Sequence, residues 1–191
     1  MTRATPTHRR RPGALLVALL AGLSAWLTAA PRAATAGPAL TLQVKAPWAE
    51  GGTIDTRYTC DGADVSPALS WRGGGNGSLF FAITCVDPDA PGGCFVHWLV
   101  YDLPFRGGRI DEDAPKTLTL PGGARQGLND FGRVGWGGPC PPAGARHRYV
   151  ITVYAYRSPL GLAPKCRITD LEKALRGRVT QTGRVTGVFA H

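Results

Sequence analysis

The chain lacks the short patterns that most directly announce chemistry. No Cys-x-x-Cys pair occurs among Cys60, Cys85, Cys94, Cys140 and Cys166, so a zinc site is disfavoured and no metal ligand is assigned. A Gly-x-Ser-x-Gly nucleophile elbow is also missing, which removes the commonest hydrolase signature. After Ala36 there is no basic run with interleaved aromatics, and nucleic acid drops out as a partner class. The glycine-rich stretch from Arg72 to Gly77 leads into a strand, with no helix N-terminus behind it. It is a turn and not a phosphate cradle, and no cofactor is assigned.

What is present begins with an export pattern. Arg3, Arg9, Arg10 and Arg11 precede an apolar run from Ala14 to Ala30, and Ala34-Thr35-Ala36 offers small residues at a cleavage site. Residues 1–36 are expected to be a secretory signal peptide cleaved after Ala36, which would leave residues 37–191 as a periplasmic or secreted domain. The apolar run is short for a membrane span of about 20 residues. No integral membrane segment is expected after cleavage. The segment before Gly37 holds five of the 22 basic residues and none of the 13 acidic ones. The net charge of +9 therefore falls to a surplus of four in the remaining domain. A mildly basic surface of this kind suits anionic ligands.

Short strands separated by turn signals dominate that domain. Leu40–Val44 alternates apolar and polar residues, Val65–Trp71 is a short strand with a proline near its start, and residues 147–156 form the clearest strand. Period two places His147 and Tyr149 on one face of that last strand, with Ile151 and Val153 continuing the face into the core. Residues 105–146 are punctuated by glycine and proline too heavily for long strands or a helix. One helix is signed by Thr169-Asp170-Leu171-Glu172 as a capping box, with Leu171, Ala174 and Leu175 as its apolar stripe and Gly177 as its stop. The expected fold is all-β with a minor α part, a sandwich with one C-terminal helix.

The organising stretch is Asp87-Pro88-Asp89-Ala90-Pro91, which follows the apolar run Leu79–Val86 and precedes His97-Trp98. Each proline fixes its own φ and keeps its predecessor extended, so the loop is stiff and can hold a carboxylate in place. In the strand from Phe95 to Leu103, period two puts Phe95, His97, Leu99, Tyr101 and Leu103 on one face. Val96, Trp98, Val100 and Asp102 fall on the other. A histidine there is a ligand or a satisfied core residue, and taken alone it reads as core.

Taken together, these segments resemble a known family. Asp87-Pro88-Asp89-Ala90-Pro91, His97-Trp98, Gly137-Gly138-Pro139-Cys140-Pro141-Pro142 and His147-Arg148-Tyr149 occur in the order seen in phosphatidylethanolamine-binding proteins. Tyr58–Gly62 and Val65–Trp71 are similar to the bacterial, Raf kinase inhibitor-like branch. The resemblance implies two antiparallel sheets in a Greek-key β-sandwich, with a small anion pocket at one end that accepts phosphate-like groups. By the same resemblance Asp87, His97, His147 and Tyr149 would line the pocket, while Pro91, Gly137 and Pro139 would shape its wall. The kinase-regulating role of eukaryotic members is not transferred, because fold does not carry function.

The chemistry of these residues is that of an acceptor-seeking hollow. Two imidazoles near a carboxylate are pushed toward protonation or held in one tautomer, so that each presents an N–H, and Tyr149 adds a hydroxyl. Glycine beside Pro139 lets main-chain N–H groups approach closely. Asp87 would repel an anion, so its expected part is to orient a histidine or to meet an ammonium group. The leading expectation is a binding module for a phosphate-type or phospholipid head-group anion, with regulation of a protein partner as an added role and no catalytic residue. One alternative is a hydrolase or lyase using Asp87, His97 and His147 as general acid and base. Another is a pure protein-partner inhibitor of a protease or kinase. Two disulfides and one free thiol are a reasonable count outside the cytoplasm. Sequence does not give the pairing; Cys94 and Cys140, which flank the expected pocket, are the first pair to test.

Overall fold

A computed structural model describes residues 1–2, 41–73, 77–105 and 107–191 of the chain. The expected signal segment and the start of the Leu40–Val44 strand lie almost wholly outside these residues. The backbone of the fold is a run of long paired strands. β1 spans Gln43–Lys45, β2 Gly52–Thr53, β3 Leu69–Arg72, β4 Phe80–Asp87 and β5 Phe95–Pro104. β6 spans Arg109–Ile110, β7 Arg125–Gln126, β8 Arg146–Tyr156 and β9 Gln181–Ala190, with helix α1 at Ile168–Leu175.

Two sheets result. A three-stranded antiparallel sheet runs β1-β3-β6, and a six-stranded sheet runs β2-β9-β8-β4-β5-β7. β4 sits at the centre of the larger sheet because Phe81–Cys85 is buried on both faces, as its unbroken apolar run requires. The larger sheet is antiparallel except at one edge, where the two residues of β2 run parallel to Gly187 and Val188 of β9. Between the sheets lies the main core, with Trp71 of β3 against Phe81 of β4 at 5.1 Å between ring centroids. The other face of the large sheet carries a second cluster, in which Leu171 and Leu175 of α1 cover Ala82, Leu99, Tyr101 and Tyr156.

β5 departs from period two, and that departure builds the site. Along β4 and β5, Cys85 pairs with Trp98 and Val86 with Val96, so His97 is left without a partner at a bulge. One extra residue switches the faces on either side of it. Val96, Leu99 and Tyr101 turn to the helix side, while Trp98 and Val100 enter the core between the sheets, and a second register shift, opposite Phe81–Ile83, brings Leu103 into that same core. The grouping of His97 with Leu99 and Tyr101 is therefore corrected. The main-chain groups of Val96 and His97 that face the open edge beyond β7 are taken up by the segment after β7. The Val96 N–H donates to Asp130 Oδ2 at 2.8 Å, the Asp130 N–H donates to the Val96 carbonyl, and the Gly137 N–H donates to the His97 carbonyl.

The helix also begins earlier than its sequence signal. Its N-cap is Arg167, whose N–H donates to Asp170 Oδ2 at 3.0 Å, so Asp170 closes the first turn that Thr169 was expected to open. Gly177 follows the last turn at φ +70°, as a stop residue should. Among the described residues no helix is long and apolar enough to cross a membrane.

Candidate functional site

At the end of the large sheet, the bulge of β5, the last residue of β4 and the second residue of β8 converge. Asp87, Ala90, Pro91, Phe95, His97, Phe131, Cys140, Pro141, Pro142 and His147 line a cavity of about 230 Å³. That is below the ~300–1,000 Å³ of sites for drug-sized ligands and fits a small group. A larger cleft of about 360 Å³ elsewhere holds Asp111, Glu112 and Asp113. Two of its three acids are already paired: Glu112 is bonded by Arg57 and Tyr58, and Asp111 pairs with Arg109.

The two histidines are held by different partners. His147 Nδ1 lies 2.7 Å from Asp87 Oδ2, with both side chains buried, so the carboxylate orients the ring. Asp87 Oδ1 accepts the Asp89 N–H at 2.8 Å, which fixes the carboxylate against its own loop. His97 Nδ1 lies 2.7 Å from the Gly137 carbonyl oxygen. A carbonyl can only accept, so Nδ1 carries the proton. Burial pushes the His97 pKa down, and the Gly137 carbonyl and the Asp87 charge only partly oppose it. In both rings Nε2 is the nitrogen left for a ligand.

The loop that carries Asp87 is pinned from outside the cavity. Arg148 gives Asp89 three bonds: its main-chain N–H and Nε donate to Oδ2 at 2.9 and 2.8 Å, and Nη2 donates to Oδ1 at 2.6 Å. These bonds with Arg148 lower the Asp89 pKa to about 2. Period two explains the division of labour, since His147 faces the cavity while Arg148 faces away from it to hold the loop.

Of the residues singled out from sequence, Asp87, Pro91, His97 and His147 come together in the cavity wall. Tyr149, Gly137 and Pro139 do not reach that wall. Tyr149 packs behind His97, edge to face at 5.1 Å, and its buried hydroxyl has no hydrogen-bond partner. Burial pushes its pKa up, so it stays protonated. The glycine N–H groups are not free for a ligand as expected: Gly137 N–H is bonded to His97, and Gly138 N–H donates to Asp64 Oδ1 at 2.6 Å. Sequence reasoning missed Phe95 and Phe131, which pack at 4.7 Å and flank His97. Phe95 could have been found, as the residue two before a candidate ligand in the same strand.

The disulfide expectation is corrected. Cys60 is bonded to Cys140, leaving Cys94 free and exposed and Cys85 and Cys166 free and buried. The Cys60 N–H donates to the Pro139 carbonyl at 3.0 Å, so the two segments already lie side by side with Cα atoms 5.4 Å apart. The three metal-capable groups that cluster, Cys60, Cys140 and His191, include the two sulfurs of this bond.

A two-sheet β protein with a small imidazole-lined cavity at one end is the class defined by this geometry. The chain belongs to the phosphatidylethanolamine-binding protein family, whose profile matches residues 44–190. A UPF0098 protein of Aquifex aeolicus is 40% identical over 157 residues, spanning 81% of this chain and 91% of that one. A Mycobacterium tuberculosis protein named as a candidate lipoprotein, LppC, is 34% identical over 144 residues, with 74% and 68% covered. The crystal structure of Escherichia coli YbcL, described as a member of the mammalian PEBP family, superposes with a TM-score of 0.72 at 32% identity. That superposition covers 78% of this chain and 98% of YbcL.

Proposed function

We propose that this chain is an exported binding module that captures a phosphate-type or phospholipid head-group anion in the Asp87/His97/His147 cavity. The observation that carries the reading is the double anchoring of the imidazoles. Each Nδ1 is committed to a protein acceptor, so both Nε2 atoms are reserved at one small cavity.

Export is supported by the signal pattern of residues 1–36, by a disulfide in the domain, and by the relative whose name marks it as a candidate lipoprotein. N-terminal sequencing of the secreted or periplasmic protein should begin at Gly37. Calorimetry with inorganic phosphate and phosphoethanolamine tests the site itself. Saturable binding that is lost in His147→Ala supports the reading, whereas no heat from either anion sinks it.

A further inference from the structure

The end of the domain away from the cavity has a surface of its own. β4 starts there and runs about 23 Å, at roughly 3.3 Å per residue, before it reaches the cavity at Asp87. β5 and β8 end there and β9 starts there, since Phe80 pairs with both Pro104 and Tyr156, and Ala155 pairs with Gln181. The polypeptide enters the described fold at this same end, where the Leu42 N–H donates to the Thr182 carbonyl at 3.1 Å. Leu79 and Phe105 lie side by side on it. The Phe105 N–H donates to the Leu79 carbonyl at 2.9 Å, and the two residues are 57% and 54% exposed. Val179, also exposed, is brought alongside by the contact between the Ser78 and Thr180 hydroxyls at 2.6 Å. Single exposed apolar residues are ordinary, but three gathered at one end form a patch.

Arginines surround this patch with their charge unspent. Arg157 follows β8, and its Nη1 lies 3.1 Å from where a Cβ on Gly77 would stand. Arg178 Nη2 donates to the Ser158 hydroxyl and to the Ser158 and Pro159 carbonyls, all neutral acceptors. Arg72 closes β3 beside Gly73, where a Cβ would meet the side chains of Leu42 and Gln181. Among the described residues none of these three arginines is in an ion pair. Asp102, an acid among these strand ends, is turned onto the Tyr156 hydroxyl and the Leu160 N–H. We propose that this end docks the exported protein on an anionic phospholipid bilayer. Leu79, Phe105 and Val179 enter the interface, and the guanidinium groups meet lipid phosphates. A second copy of the chain fits less well, because a two-fold contact would bring the same guanidinium groups together with Asp102 already engaged. The docking does not depend on the anion cavity, which it leaves at the far end, facing away from the lipid.

Co-sedimentation of the protein recovered after export with lipid vesicles tests this. Mixed phosphatidylglycerol–phosphatidylcholine vesicles should be bound about tenfold more tightly than pure phosphatidylcholine, and added salt should weaken the binding. Arg157→Glu should weaken it by about tenfold without moving the urea midpoint, and Leu79→Ser combined with Phe105→Ser should abolish it. Both variants should keep the heat of inorganic phosphate binding, since neither alters the cavity. Arg157→Glu decides alone should the serine variant fail to fold. Failure to bind the anionic vesicles overturns the proposal. So does binding that these variants retain, or that millimolar phosphoethanolamine competes away, because the lipid would then sit in the cavity. A dimer that depends on the patch, with no vesicle binding, also overturns it and gives this face to a second copy. Missing phosphate heat in the unmodified protein would sink the cavity reading and leave this one standing.

Discussion

His97 and Gly137 exchange two hydrogen bonds: the ring Nδ1–H donates to the Gly137 carbonyl at 2.7 Å, and the Gly137 N–H returns to the His97 carbonyl at 3.0 Å. The bulge in β5 leaves His97 without a strand partner, and the glycine-rich segment takes that place. Ring orientation, tautomer and the closing of the sheet edge thus depend on one contact.

Adjacent glycines in this segment should respond differently to the same added methyl. A Cβ on Gly137 meets the Phe131 ring at 2.6 and 2.7 Å, and Phe131 is a 39% exposed side chain that can give way more readily than backbone. A Cβ on Gly138 meets the Tyr58 carbonyl oxygen at 2.3 Å and Thr59 Cα at 2.8 Å, which are backbone atoms. Gly138→Ala should cost about 3 kcal/mol in urea unfolding and Gly137→Ala about 1 kcal/mol or less. The Gly137 variant should instead weaken anion binding by displacing Phe131. Equal stability losses in the two variants would contradict this account.

How much of this was legible beforehand follows from what each feature depends on. Asp87, Pro91 and His147 were readable because rigid loops and period two are local properties of the chain. The face of His97 was not, because the bulge arises from pairing with β4 and has no mark in residues 95–98. Asp170 is legible as part of a cap, but Arg167 is not, because its main chain, and not its side chain, makes the bond. Cys94 looked like the partner of Cys140 by position along the chain, whereas the Cys60–Pro139 contact that decides the pairing joins segments about 80 residues apart. Phe131 carried no signal, since a lone aromatic in a turn says nothing of which neighbour it will cover.

The sign of the Asp87→Asn effect separates two roles for that carboxylate. Asp87 engages His147 through Oδ2 and the Asp89 N–H through Oδ1, so both oxygens are already spent on the protein. If it works through His147, removing its charge should weaken phosphate binding about tenfold at pH 6, because the ring loses the charged acceptor that holds its Nδ1–H and fixes its orientation. An affinity that rises in the variant would mean that the carboxylate faces the anion and repels it.

The Asp89–Arg148 clamp should give acid sensitivity with a defined direction. The folded-state pKa of Asp89 is depressed to about 2 by Arg148, against about 3.9 for an unperturbed aspartate. A depressed carboxyl contributes stability above the unfolded value and loses it as pH falls toward the folded one. Wild type should therefore exceed Asp89→Asn in urea midpoint at pH 5, with the gap closing between about pH 4 and 2. The pair is partly exposed, so added salt should shrink the gap at pH 5. A gap that is constant from pH 5 to 2 would remove the clamp from the account.

The Cys60–Cys140 bond ties the wall of the cavity to the segment after β2, since Cys140, Pro141 and Pro142 all line the site. It closes a loop of 80 residues, for which chain entropy suggests a stabilisation of about 4 kcal/mol, with measured bonds often nearer 2. A Cys60→Ser, Cys140→Ser double variant should lose about 2–4 kcal/mol and bind phosphate more weakly, because the proline pair is no longer anchored. Cys94→Ser should change neither, as its thiol is exposed and unbonded. Alkylation of the native protein followed by peptide mapping supplies the independent check. Cys94 should be labelled without denaturant, and a peptide carrying Cys60 should appear joined to one carrying Cys140. Finding Cys94 in the crosslink, or a Cys94→Ser variant as unstable as the double one, would show that the wall is held by a different bond.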